Sequence, residues 1–131
     1  MGTPSRRILV IDDEESFRQM LSDYLRSQGF RVEVAHDGLE GFRRATREQF
    51  DLVVADINMP GVNGVETIRS LKLVDSPVAV VVVSGYVTDE IEADCRQAGC
   101  VEVLAKPVEL AHLGEVITGV LGGSAPSGDR A

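Results

Sequence analysis

Short apolar runs alternate with amphipathic stretches five times along the chain. The runs are short and rich in β-branched residues, which favours strands that are buried on both faces of a sheet. The clearest is VAVVVV, which follows Pro77. The predicted strands are residues 8–11, 32–35, 52–55, 78–83 and 101–104.

Between these runs, apolar residues recur at intervals of three and four, which indicates amphipathic helices. Gly29 is predicted to end the first helix, Gly64 to begin the third, and Thr88 and Gly99 to cap the two ends of the fourth. The apolar helix positions are Phe17, Met20, Leu21, Tyr24 and Leu25; Leu39, Phe42 and Ala45; Val65, Ile68 and Leu71; and Leu110, Leu113, Ile117, Val120 and Leu121.

Five strands that are each followed by a helix predict an α/β domain, with a parallel sheet and helices on both faces. A chain of 131 residues that is 44% hydrophobic suits one such domain with its own core. We assign this domain to residues 7–121, after an N-terminal extension over residues 1–6. Residues 122–131 (GGSAPSGDRA) lack apolar periodicity, which predicts a flexible tail or the beginning of a linker.

Polar side chains follow four of the five predicted strands. Ligands of parallel α/β sheets bind outside the carboxyl ends of the strands, so these side chains are expected to share one site. Taken one at a time, they are also ordinary helix caps, turn residues or surface residues. They are Asp12, Asp13 and Glu14 after strand one, Asp56 after strand three, Ser84 (followed by Gly85) after strand four, and Lys106 (followed by Pro107) after strand five.

The chemistry of this set is consistent with phosphoryl transfer. Two carboxylates about 4 Å apart repel by roughly 4 kcal/mol at an effective dielectric constant near 20, so a crowded acidic group favours a bound cation. Hard oxygen ligands suit Mg²⁺. An ammonium from Lys106 and a hydroxyl from Ser84 complete a cradle for an anion, and Asp56 is placed to attack it in line.

The ordered set DD (residues 12–13), D-x-x-M-P-G (residues 56–61), S-G (residues 84–85) and K-P (residues 106–107) resembles the receiver domain of two-component response regulators. The resemblance covers residues 7–121, and the length resembles the single-domain chemotaxis type. It implies a flavodoxin-like, doubly wound sheet of five parallel strands in the order 2-1-3-4-5, with five helices.

The resemblance also implies roles for individual residues. Asp56 is the phosphoacceptor, and it receives its phosphoryl group from the phosphohistidine of a histidine kinase or a histidine phosphotransfer protein. Lys106 and Ser84 are the catalytic and switching partners. Mg²⁺ is held by Asp13, by Asp56 and by the backbone carbonyl of Asn58, and Asp12 assists through a water. The peptide bond before Pro107 is expected to be cis.

Two positions depart from the common receiver pattern. Val103 occupies the position, three before the lysine, where many receivers carry an aromatic residue that turns inward on activation. Val108 follows Pro107 where the family often has Phe. Tyr86 lies two residues beyond Ser84, and we hypothesise that its ring shields the acyl phosphate from water. Ser84, Tyr86 and Val103 are therefore the predicted switch and tuning positions.

Net charge, the length of apolar segments and cysteine content argue against several classes of function. Thirteen Lys and Arg against 21 Asp and Glu give a net charge of −8, which argues against a nucleic-acid surface in this domain. No apolar segment reaches the roughly 20 residues that span a bilayer, and MGTPSRR lacks the apolar stretch of a secretory signal. Cys95 and Cys100 are expected to be reduced, buried thiols of a cytoplasmic protein.

Two other functions were weighed against this one. A phosphatase of the haloacid dehalogenase type needs a second Asp two residues after the nucleophile, where this chain has Asn58, and its acidic pair comes last rather than first. We therefore do not expect an enzyme beyond self-phosphorylation and dephosphorylation. The alternative is a receiver-like binding or dimerisation module that works without phosphorylation. Output is expected through a partner protein or through an effector domain that begins beyond Gly122.

Overall fold

The computed structural model describes residues 6–58, 63–75 and 77–122 of the chain. Five strands alternate with five helices over this part of the chain. The strands are β1 (Arg7–Ile11), β2 (Arg31–Ala35), β3 (Leu52–Ala55), β4 (Ala79–Ser84) and β5 (Glu102–Ala105). The helices are α1 (Glu15–Ser27), α2 (Gly38–Arg47), α3 (Gly64–Val74), α4 (Asp89–Ala98) and α5 (Leu110–Gly122).

All five strands are parallel and lie in the order β2-β1-β3-β4-β5, which confirms the predicted flavodoxin-like sheet. β1 is central and pairs with both β2 and β3. The direction in which the chain adds strands changes there, so the carboxyl ends of β1 and β3 flank the crevice where such sheets bind ligands.

The two faces of the sheet carry separate cores. Successive strand residues point to opposite faces. Leu9, Val53 and Val80 therefore face one side, where they pack with residues of α3 and α4. Ile8, Leu52 and Val81 face the other side, where they pack with α1 and α5. Burial on both faces explains why the strands are continuous apolar runs.

The helix ends agree with the sequence signals. The Thr88 hydroxyl accepts a hydrogen bond from the Ile91 backbone N–H at 3.1 Å, as expected of an N-cap. Gly99 ends α4 with φ of 118°, a left-handed conformation that residues with a Cβ rarely adopt. Asn63 caps α3 through two backbone N–H groups. Both cysteines are buried and free, as predicted.

Two of the apolar helix positions are exposed rather than buried. Met20 on α1 is 53% exposed and Leu39 on α2 is 58% exposed. The structure gives a reason for Leu39. The buried residues of α2 are Gly38 and Gly41, and an added Cβ on Gly41 would lie 2.3 Å from the Ile11 side chain. Because α2 contacts β1 through glycines, Leu39 is directed away from the sheet.

Some predictions lie outside the described residues. They are the Pro60–Gly61 turn after Asp56, residues 1–5 of the N-terminal extension and residues 123–131 of the tail. Gly122, assigned to the tail, is the last residue of α5. Among the described residues, no helix combines the length and apolar character that crossing a membrane would need.

Candidate functional site

The sheet brings the predicted site residues to one edge. Asp12 and Asp56 directly follow β1 and β3, which pair up to the register Ile11–Ala55. The Asp56 N–H donates to the Ile11 carbonyl at 2.9 Å, so backbone hydrogen bonding continues one residue beyond the strand and fixes Asp56 next to Asp12. Lys106 is held in the same way, because its N–H donates to the Ser84 carbonyl at 2.8 Å.

Three carboxylates form an acidic cluster at this edge: Asp12, Asp13 and Asp56 each place one oxygen within 4.8 Å of the others. Asp12 is 2% exposed and Asp56 is 7% exposed, whereas Asp13 is open to solvent. Closely spaced carboxylates repel one another strongly where water is scarce. The cluster therefore fits a bound divalent cation, and carboxylates are the hard oxygen ligands that Mg²⁺ or Ca²⁺ prefers.

Lys106 reaches into the acidic cluster from the end of β5. Its Nζ lies 2.8 Å from Asp12 Oδ2, 3.3 Å from Asp56 Oδ2 and 3.5 Å from Glu14 Oε1. The peptide bond between Lys106 and Pro107 is cis, as the resemblance implied. One ammonium thus bridges the two buried carboxylates and offsets part of their repulsion.

The pKa values of this pair follow from unequal burial. Burial raises the pKa of Asp12, although the hydrogen bond and positive charge of Lys106 act in the opposite direction. Burial also acts to lower the pKa of Lys106, but its hydrogen bonds and ion pairs with Asp12 and Asp56 outweigh burial, so the net shift is upward. Burial outweighs the ion pair at Asp12 but not at Lys106, because the Asp12 side chain is only 2% exposed whereas that of Lys106 is 16% exposed.

The second oxygen of each buried carboxylate is held by a backbone N–H two residues later. Asp12 Oδ1 accepts from the Glu14 N–H at 2.8 Å, and Asp56 Oδ1 accepts from the Asn58 N–H at the same distance. Asp12 was also considered as a cap for the first helix. In the structure, Glu14 is the N-cap residue of α1 and makes no side-chain cap, so Asp12 supports the turn rather than the helix.

The predicted switch residues lie on β4, on the loop after it and on β5. Ser84 is fully buried as the last residue of β4, and its hydroxyl is 3.3 Å from the Tyr86 backbone N–H. Tyr86 itself is 61% exposed. Val103 is partly buried and packs against the core on the side of α3 and α4. Val103 therefore contributes an aliphatic side chain, and no aromatic ring, to this part of the core.

Sequence reasoning missed two contacts at this edge. Glu14 is the third acidic neighbour of Lys106, and the Phe17 ring lies beneath the ammonium, with Nζ 4.4 Å from the ring centroid. The sequence pattern identifies Glu14 only as a residue that follows strand one, and Phe17 only as an apolar position of the first helix. Neither assignment contains the long-range contact with β5.

Two cavities differ in their relation to the site. One of about 240 Å³ adjoins it and includes Asn58, Tyr86 and Ile91 among its lining residues. A larger one of about 590 Å³ lies at the opposite, amino-terminal edge of the sheet, near Arg7, Phe50 and Asp51. The larger cavity contains none of the acidic cluster, so its size does not make it the candidate site.

The doubly wound sheet, the acidic cluster and the bridging lysine together define a receiver-type α/β domain. Sequence comparison agrees: this chain belongs to the response regulator receiver domain family, which matches residues 8–118. Such domains are the phosphoacceptor signalling units of two-component systems.

Individual relatives support the same assignment. Transcriptional regulatory protein PrrA of Mycobacterium tuberculosis (strain ATCC 25618 / H37Rv) is 38% identical over 112 residues, which are 86% of this chain and 48% of the relative. The chain thus spans about half the length of the curated relatives that it matches at this identity.

Solved structures agree in fold. A CheY-like receiver domain protein from Methanospirillum hungatei JF-1 has a TM-score of 0.89 and 28% identity, over 92% of this chain and 96% of that one. A response regulator from Burkholderia pseudomallei has a TM-score of 0.81 and 27% identity, over 89% of this chain and 66% of that one. The latter was solved with a phosphorylated aspartic acid, a calcium ion and citrate.

Proposed function

We propose that Asp56 accepts a phosphoryl group from the phosphohistidine of a histidine kinase or a histidine phosphotransfer protein. The observation that carries this proposal is the Lys106 ammonium, which lies within 3.3 Å of both Asp56 Oδ2 and Asp12 Oδ2 in the acidic cluster. A buried carboxylate beside a fixed cation is a nucleophile whose attack on an anionic phosphoryl group is electrostatically assisted.

Mg²⁺ would be held by Asp13, Asp56 and the backbone carbonyl of Asn58, with Asp12 assisting through a water. When bound, the cation neutralises charge on the phosphoryl oxygens. The calcium ion and phosphorylated aspartic acid in the Burkholderia pseudomallei regulator support such a site here, since that protein shares this fold at 27% identity.

The residues of this chain carry the rest of the reaction. An Asp56 oxygen forms the new bond to phosphorus, and the bond between phosphorus and the donor imidazole nitrogen breaks. The Asn58 N–H holds the other Asp56 oxygen and fixes the orientation of the carboxylate. The Lys106 ammonium, which lies 3.3 Å from Asp56 Oδ2, pairs with the negative charge as that charge passes to the transferred group. Within the described part of the chain, the hydrogen bonds of the Ser84 hydroxyl are long, at 3.3 Å and 3.4 Å to the Tyr86 backbone, so little opposes its turning toward a phosphoryl oxygen.

Output would follow as a population shift between two arrangements of the loop around Ser84. We propose that the recipient is a partner protein or an effector domain that follows this segment in a longer chain, which the half-length match to PrrA supports. The two buried free thiols support a location in the reducing cytoplasm. Beyond its own phosphorylation and dephosphorylation, we assign no catalytic activity.

The proposal is tested by incubating the protein with Mg²⁺ and acetyl phosphate and measuring its intact mass. The wild type should gain one phosphoryl group, and Asp56→Asn should gain none. Absence of any gain in the wild type, while a known receiver is modified under the same conditions, would overturn phosphoryl acceptance. That result would favour the phosphorylation-independent binding or dimerisation module.

A further inference from the structure

The Phe17 ring faces the Lys106 ammonium. Nζ lies 4.4 Å from the ring centroid, well inside the roughly 6 Å range of cation–π attraction. Among the described residues, the carboxylates of Asp12, Asp56 and Glu14 also lie within 3.5 Å of this ammonium. Lys106 therefore contacts carboxylates and an aromatic face at the same time.

Phe17 is well placed to act as a fixed support. It belongs to α1, is only 9% exposed and packs in the core between the sheet, α1 and α5. A ring held on several sides by a close-packed core has little freedom to shift. Lys106, in contrast, has a long side chain that loses considerable conformational entropy when it is fixed.

We infer that Phe17 is a positioning residue for Lys106: its ring face holds the ammonium over the gap between Asp12 and Asp56. The consequence for phosphorylation rests on the function proposed above. The contact itself does not, and it can be measured in the unphosphorylated protein.

A simpler explanation is that Phe17 only fills space in the core. Leucine would fill much of the same space, whereas it lacks the negative face that attracts a cation. The two explanations therefore differ in what they predict when the ring is changed electronically but not in shape.

The contact is tested first by a double-mutant cycle on thermal unfolding without Mg²⁺, using Phe17→Leu and Lys106→Met. If the ring holds the ammonium, Phe17→Leu should lower the unfolding midpoint more in the wild type than in the Lys106→Met background. Equal losses in the two backgrounds would show that Phe17 merely fills space, and would overturn the inference. No phosphorylation is involved, so this result is independent of the proposed function.

The consequence is tested with phenylalanine analogues that carry one, two or three ring fluorines at position 17. Fluorination weakens the negative face while changing the shape little. Phosphorylation by acetyl phosphate should slow stepwise along the series, and Phe17→Leu should be slower by about 3-fold to 10-fold, as expected for losing a partly buried cation–π contact. Phe17→Trp, if it folds, should keep the rate above that of Phe17→Leu.

Phe50 offers a matched control. Its ring lies 5.2 Å from the Arg7 guanidinium carbon, at the amino-terminal edge of the sheet and away from the acidic cluster. Fluorination at Phe50 should leave the phosphorylation rate unchanged. Equal rates along the Phe17 series, in a wild type that is phosphorylated, would overturn the positioning role. A wild type that gains no phosphoryl group would instead overturn the proposed function, and the unfolding cycle alone would then decide whether Phe17 holds Lys106.

Discussion

At the scale of single residues, burial gives the three carboxylates of the acidic cluster different tasks. Asp13 is exposed and can meet a hydrated cation at the surface. Asp56 and Asp12 are buried and share the Lys106 ammonium. Because Asp12 is the more deeply buried of the two, its charge is the harder to stabilise without a metal, which agrees with its raised pKa.

The raised pKa of Asp12 predicts a pH dependence of stability. In the window between the ordinary value of 3.8 and the raised value, the folded state binds more protons at Asp12 than the unfolded state does. The contribution of Asp12 is therefore complete below 3.8 and is lost as the pH rises through the raised pKa. Lys106 stays charged throughout this window, since its pKa is raised above 10.5.

We expect the wild type to lose stability relative to Asp12→Asn as the pH rises from about 4 to about 7, when the free energy of unfolding of each protein is measured by urea titration without Mg²⁺. Only the slopes are compared, so a constant difference in stability between the two proteins does not affect the test. Parallel slopes would contradict the prediction.

The exposed ring of Tyr86 predicts an effect on phosphoryl lifetime. Tyr86→Ala keeps the backbone N–H that contacts Ser84 but removes the ring that lines the cavity beside Asn58. Easier access of water should accelerate loss of the phosphoryl group by about threefold, which corresponds to roughly 0.6 kcal/mol in activation free energy. The decay of the phosphorylated mass over time measures this rate. Tyr86→Phe keeps the ring and should decay like the wild type, and an unchanged rate in Tyr86→Ala would end the shielding hypothesis.

The residues at the strand ends could be predicted from sequence because parallel strands bring their carboxyl ends to one edge. Asp12, Asp56, Ser84 and Lys106 were all identified in this way. The contact between the Phe17 ring and Lys106 could not be predicted in this way. The spacing of apolar residues indicates that Phe17 faces a core, but it does not show which distant side chain lies against the ring.

At the scale of elements, glycines set how closely α2 packs on the sheet. An added Cβ at Gly41 would lie 2.3 Å from Ile11 Cδ1 and 2.9 Å from Ile11 Cγ1, and Ile11 is fully buried. A rule based on the spacing of apolar residues places those residues in the core and does not identify a buried glycine. That is why the exposure of Leu39 could not be read from the sequence, whereas the capping signals of α4 could.

Two glycine substitutions should therefore have opposite effects. Gly41→Ala should destabilise the protein by about 1–3 kcal/mol, since the new methyl group overpacks against Ile11. Gly119 lies exposed on α5 with nothing within 4 Å of an added Cβ, so Gly119→Ala should stabilise by about 0.5–1 kcal/mol through helix propensity. Urea unfolding of both variants measures the two changes. The packing explanation fails if Gly41→Ala is as stable as Gly119→Ala.

At the scale of the whole molecule, an excess of negative charge acts together with the acidic cluster. The net charge of −8 opposes compaction, and three of the carboxylates responsible meet at one edge of the sheet. A divalent cation that binds this edge only in the folded state must stabilise the whole domain, because the cluster is not assembled in the unfolded chain.

We accordingly expect Mg²⁺ to raise the unfolding temperature. At a free concentration ten times its dissociation constant, Mg²⁺ adds about 1.4 kcal/mol to the free energy of unfolding. Sodium chloride at equal ionic strength controls for screening and should give a smaller rise.

Asp13→Asn removes the exposed ligand while leaving the Lys106 contacts in place, and should lose most of the Mg²⁺ response. Adding beryllofluoride, a phosphoryl analogue, should stabilise the Mg²⁺-bound wild type further, whereas a domain that uses the fold only as a scaffold should respond to neither. If Asp13→Asn responds to Mg²⁺ as the wild type does, the cation binds elsewhere on the acidic surface.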